Sequence, residues 1–351
     1  MPLIGTPNIV RSAVNWPHAV ACLLVAVTAL LLGFGALVTT YDAAMAVPDW
    51  PGTYGHNMFL FPLTQWLSGP WDLFLEHGHR LLGALVGVLS LLLAAVTWRR
   101  DAAPAVRALV IAAVMLVIVQ GLLGGMRVLL DDKTVAKVHA CTGPLFFAVA
   151  IAIATLTRRM PAALQINPPV RGVGFSTAGD SRLLPSWAVG AAVPKALVVA
   201  AYLQLVAGAQ LRHIDATITI GAFRWMVVTH LVGAAMVTVL AALATFAWQP
   251  HEPVSARRWS WLILSMVFGQ LLLGAGAWAF TSGVPVWLQG LWTPTEAVVA
   301  RSPRGAIVIT GHALLGMMIL GSSVVMALEW GSAEALGGLI GPNRRRQGVA
   351  R

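Results

Sequence analysis

Apolar residues run along this chain in long unbroken blocks, without the alternation of a half-buried strand or the narrow stripe of a surface helix. Eight blocks stand out, near 19–40, 80–98, 106–130, 135–157, 193–212, 222–248, 257–281 and 306–328. Each comes close to or exceeds the about 20 residues that a helix needs to cross the hydrocarbon of a bilayer. Closed β-barrels are excluded, because their strands alternate lipid-facing and lumen-facing residues. The pattern predicts an all-α integral membrane protein with eight transmembrane helices.

The polar residues that interrupt these blocks recur. His79-Arg-Leu-Leu-Gly83, His139-Ala-Cys-Thr-Gly143, His230-Leu-Val-Gly233 and His312-Ala-Leu-Leu-Gly316 open the second, fourth, sixth and eighth helices. Gln120-x-x-x-Gly124, Gln204-x-x-x-Gly208 and Gln270-x-x-x-Gly274 lie on the third, fifth and seventh. Such repetition predicts two repeated four-helix bundles with a shared orientation, related by an axis along the membrane normal. The N-terminal bundle takes 1–157, including an outer loop at 41–75, and the C-terminal bundle takes 193–330. A Pro- and Gly-rich cytoplasmic linker is expected at 158–192 and a basic cytoplasmic tail at 331–351.

Composition agrees with the pattern: 58% of the 351 residues are hydrophobic and 10% charged, too few polar groups to cover a soluble globule. Mean hydropathy is +0.78. The net charge of +10 raises the question of nucleic acid, and its distribution answers it. With both termini cytoplasmic, that side receives 15 of the 23 Lys and Arg, Arg344, Arg345 and Arg346 among them, which is the positive-inside asymmetry of a membrane protein. The expected partner is the lipid bilayer, not nucleic acid, and a bacterial inner membrane is the simplest address. The two cysteines, Cys22 and Cys141, both fall inside predicted helices and offer neither an outer disulfide nor a zinc site.

Glycines at helical spacing also serve close helix packing, and a lone intramembrane histidine often only hydrogen-bonds between helices. Four histidines at equivalent helix starts and equal depth argue for ligation, with the positive helix end keeping each ring neutral. Neither the ligand set of zinc nor that of copper accompanies them. Two histidines per bundle between glycine-bearing walls match bis-histidine heme, with four axial ligands: His79, His139, His230 and His312. Arg80, Arg127 and Arg212 at the outer helix ends are candidate contacts for heme propionates, with interfacial snorkelling as the alternative. Only His79 has an acid three residues before it: Glu76, where the other histidines have Ala136, Val227 and Ile309. That offset puts both side chains on one helix face and marks one half as reactive, the other as electron-transferring.

These residues resemble the heme A synthase family. The matching features are Val47-Pro48-Asp49-Trp50-Pro51-Gly52-Thr53-Tyr54-Gly55 in the outer loop, Glu76-x-x-His79-Arg80, and the single histidines opening helices four, six and eight. The resemblance implies oxidation of the ring-position-8 methyl of heme O to the formyl of heme A, for terminal oxidase assembly. It implies that His79 and His139 hold the substrate heme, that His230 and His312 hold heme b, and that Glu76 is the catalytic carboxylate. A heme O donor enzyme and a second copy of the chain are the expected protein partners. The family's outer-loop cysteine pair, found in many bacterial members, has no counterpart between 41 and 75. His56 and His77 are read as loop residues or as supports of the site, and Asp49 ranks below Glu76. The competing readings are a di-heme b cytochrome for quinol-linked electron transfer, which needs no acid at a ring edge, and a heme-free transporter.

Overall fold

The computed structural model describes residues 14–100, 102–158, 186–214, 217–246, 254–283 and 302–339, with side chains left undescribed at 186–191 and 332–339. Its elements are α1 (Trp16–Thr40), α2 (Leu63–Leu67), α3 (Trp71–Arg99), α4 (Pro104–Leu130), α5 (Lys133–Thr157), α6 (Ser186–Arg212), α7 (Ile220–Phe246), α8 (Val254–Ser282) and α9 (Pro303–Leu339). All but the five-residue α2 are long and apolar enough to span a membrane, so the fold is all-α with eight transmembrane helices.

Local chemistry places the ends. The Asn15 side chain accepts from His18 N–H at the start of α1, and Pro104 opens α4, where a missing N–H costs nothing. Between α4 and α5, Asp131 adopts the left-handed conformation at φ 47°, and the Asp132 carboxylate then accepts from Val135 N–H at 2.8 Å. This two-residue reversal sets α4 and α5 side by side.

Helix contacts follow one order in each half. In the N-terminal half α1 packs on α3, α3 on α4, α4 on α5 and α5 back on α1; in the C-terminal half α6 packs on α7, α7 on α8, α8 on α9 and α9 back on α6. Between the halves, α5 meets α9 and α6, and α1 meets α9. Two buried clusters match the two halves. Leu24, Val86, Leu93, Phe146 and Ile153 lie in one, and Leu197, Ala241, Ile263, Leu320 and Met326 in the other. Large apolar side chains such as Val88, Leu92, Ile118, Val239 and Phe268 point outward, as a lipid solvent requires.

Three helices run well beyond their apolar blocks. α3 begins at Trp71, nine residues before the expected start, because Glu76 and His77 are buried and therefore continue the helix. α9 runs to Leu339, into the stretch expected as tail, through the helix formers around Ala335 and Leu336. Helix α6 starts at Ser186, so the last part of the expected linker is helical, while 159–185 and 340–351 lie outside the described residues.

Candidate functional site

The four histidines stand on α3, α5, α7 and α9, two to three turns in from the helix starts. The expected help from the helix dipole is thereby lost, because its influence fades within the first turn. Neighbouring helices do more. His79 sits against Gly35 of α1, His139 against Gly124 of α4, His230 against Gly208 of α6 and His312 against Gly274 of α8. A β-carbon at these glycines would lie 2.9, 3.3, 3.3 and 3.0 Å from the respective imidazole Cε1. Each ring thus rests on bare backbone of the helix that precedes its own. This explains the Gln-x-x-x-Gly recurrence: its glycine is the seat and its glutamine lies one turn away. Gln204 Nε2 donates to the His230 carbonyl at 2.9 Å, and Gln120 Nε2 to the His139 carbonyl at 3.3 Å. Helix α1 has Leu31 at that position, and its carbonyl lies 3.2 Å from His79 Nδ1.

The rings meet in pairs. His79 and His139 have centroids 6.4 Å apart with planes at 82°, and His230 and His312 have centroids 6.3 Å apart at 70°. A metal–imidazole bond is about 2.0 Å and a ring centre lies about 1.1 Å behind its nitrogen, so two imidazoles held on opposite sides of one metal would place their centres about 6.2 Å apart. Both pairs fit that spacing. All four rings line one continuous cavity of about 1630 Å³, walled mainly by aliphatic and glycine positions of every transmembrane helix. The residues present therefore fit a flat metallated macrocycle at either pair.

Glu76 lines the same cavity and is 4% exposed. Its Oε2 accepts from Val47 N–H at 2.9 Å and its Oε1 from Arg80 Nη2 at 2.9 Å. Arg80 also donates to the carbonyls of Val47, Asp49 and Gly52 at 2.7, 2.6 and 2.8 Å, which engages four of its five N–H groups. Arg127 donates to the Ala44 carbonyl at 3.0 Å, and Arg212 crosses to the other half to donate to Thr40 Oγ1 at 2.6 Å and to the Ala36 carbonyl. All three guanidinium groups line the cavity.

His213 joins them just past the C-terminal end of α6, a residue that no short motif marked. Burial, then the charges of Arg212, Arg127 and Lys137, hold its imidazole down at about 4, so it is neutral near pH 7. His77 turns away into the loop, buried beside Phe61 and Trp66, with Nδ1 3.0 Å from Thr53 Oγ1. His56 is exposed, its ring against Phe61. Asp49 is a turn former: partial burial raises its carboxyl, but N–H bonds from Gly55 and Tyr54 and the Arg80 charge outweigh this and hold it below the usual carboxylate range.

Two comparisons bear on this arrangement. A heme A synthase from Shouchella clausii (strain KSM-K16) is 27% identical over 236 residues, which covers 62% of this chain and 71% of that protein. The family described as cytochrome oxidase assembly protein, COX15-CtaA, matches residues 71–291, a stretch that holds Glu76, Arg80 and the first three of the four histidines. Since that match spans well over half the sequence and every helix from α3 to α8, the chain belongs to the COX15-CtaA family of cytochrome oxidase assembly proteins.

Proposed function

We propose that this protein is a heme A synthase, an oxidoreductase that takes the ring-position-8 methyl of heme O through successive hydroxylations to the formyl of heme A, for terminal oxidase assembly. The observation that carries the reading is the chemical inequality of two geometrically equal histidine pairs in one cavity. Among the described residues, only the His79–His139 pair has a buried carboxylate, Glu76, on the cavity wall beside it. Family membership and the likeness to a heme A synthase support the same assignment. In this reading the chain is two repeated four-helix bundles, a division supported by the matching order of helix contacts in the two halves. It sits in a bacterial inner membrane with both termini cytoplasmic.

His79 and His139 hold the substrate heme, while His230 and His312 hold heme b, which when bound supplies one-electron redox capacity. Arg127 and Arg212 are the propionate partners, joined by the remaining Nε–H of Arg80. Glu76 is fixed by two donors, so its charge is aimed before substrate arrives and needs no reorganisation at the moment of reaction. There it would stabilise the positive charge left at the macrocycle edge when an electron acceptor outside the chain takes two electrons per hydroxylation, and would accept one of the protons released as water adds. A quinol-linked di-heme b cytochrome is not favoured, because electron transfer alone gives Glu76 no task.

Chromatography of hemes extracted from cells expressing the protein tests the reading. Wild type is expected to yield heme A. Glu76→Ala is expected to retain both hemes and to accumulate heme O or a partly oxidised form. Glu76→Gln keeps the volume but only one of the two acceptors, so normal heme A from it would show that neither the charge nor the second acceptor is needed. Normal heme A from Glu76→Ala would remove the residue from the mechanism.

A further inference from the structure

Part of the outer loop reaches the cavity that contains the His79–His139 pair: Trp50, Pro51 and Met58 contribute to its lining. The segment from Val47 to Gly52 has no helix or strand of its own, yet it is tied at several points. Arg80 bonds three of its carbonyls, and Glu76 accepts its Val47 N–H. The Asp49 carboxylate folds the following turn through Tyr54 N–H at 2.8 Å and Gly55 N–H at 3.0 Å. Arg80 and Glu76 side chains are 8% and 6% exposed, so these charge-assisted bonds form largely away from solvent, where they are strongest.

The tip of the segment is placed as firmly. A β-carbon on Gly125 of α4 would lie 2.5–2.8 Å from three atoms of the Trp50 indole. Trp50 is thus pressed against bare helix backbone one residue beyond Gly124, the seat of His139. One end of the cavity wall is an aromatic ring on a loop, held by a glycine from one helix and by an arginine from another.

We propose that residues 47–52 form the roof of the substrate cavity and that Trp50 is its contact residue, holding the bound macrocycle in place through its successive oxidations. Arg80 is a positioning residue that acts through the main chain of the roof. The inference rests on reading the His79–His139 pair as a heme site. It assigns the retention of substrate to residues that ligate no iron and carry no catalytic charge toward it.

The test measures how fast heme leaves each half. Full-length protein purified with its hemes is mixed with excess apomyoglobin, and the heme types remaining on the membrane protein are separated chromatographically over time. Heme b serves as the internal reference for folding. Trp50→Ala is expected to speed loss of the heme O or heme A fraction by about tenfold, with heme b loss unchanged. Gly125→Ala is expected to do the same with the loop sequence intact, because the added methyl occupies the place of the indole. Trp50→Phe keeps a flat ring and is expected to stay within about twofold of wild type. Arg80→Lys is expected to behave as Trp50→Ala, because one ammonium does not span three carbonyls as the guanidinium fork does. Wild-type retention of the heme O or heme A fraction in both Trp50→Ala and Gly125→Ala overturns the roof while leaving the synthase reading in place. A wild-type protein that carries heme b alone overturns the synthase reading, and the roof with it.

Discussion

At Gly35 and Gly274 the absence of a side chain decides where a histidine ring lies. A methyl there would stand 2.9 Å from His79 Cε1 and 3.0 Å from His312 Cε1, while at Gly124 and Gly208 the distance to the ring is 3.3 Å. Gly35→Ala is therefore expected to displace His79 and lower the substrate-heme content, and Gly274→Ala to lower heme b. Gly124→Ala and Gly208→Ala should retain most of theirs. Heme content per protein, read by extraction, checks this ranking; equal losses at all four positions would deny the seats any role. The histidines were legible in the sequence because a polar side chain inside an apolar block is conspicuous. Gly35 was not, because its partner Leu31 acts through a backbone carbonyl that no side-chain letter reports. The same holds for Arg80, expected to meet propionates, whose bonds go mostly to loop carbonyls.

Among the helices, number and order were readable from hydropathy, whereas ends set by tertiary burial were not. Glu76 and His79 share a helix, as their spacing predicts, but that helix reaches back to Trp71, with Glu76 and His77 each holding a partner in the loop before it. A similar polar contact joins the halves at the opposite helix ends. Arg158, just past α5, donates to Glu329 on α9 at 2.6 Å; the carboxylate is 2% exposed and the guanidinium half-exposed. Removing the cation strands a buried charge, although exposure of Arg158 screens the pair. Arg158→Ala is expected to cost on the order of 1–3 kcal/mol. Adding Glu329→Gln to that variant should restore part of the loss, since a neutral amide is cheaper to bury than an unpaired carboxylate. Thermal melts of the two variants in one detergent make the comparison, and a double variant no more stable than the single one would mean that the ion pair does not join α5 to α9 in solution.

For the molecule as a whole, α1, α3, α4 and α5 contact one another in sequence, as do α6, α7, α8 and α9, and the two sets meet along α5, α9, α1 and α6. His230→Ala and His312→Ala are accordingly expected to lose heme b while the N-terminal half keeps its substrate heme; loss of both hemes together would show that the halves load as one unit. The loop before α3 contributes to the cavity lining, and its attachment bears on which of its positions can change. An arginine bonded to carbonyls recognises the path of a chain and is indifferent to the letters along it. Change at the exposed Pro48 leaves the clasp intact as long as the main chain keeps its course, whereas Arg80, Gly125 and Gly52, where a β-carbon would lie 2.7 Å from the Asp49 carboxylate, have no such latitude. Substitutions at the exposed positions of this cover are thus expected to leave the latch beneath it working.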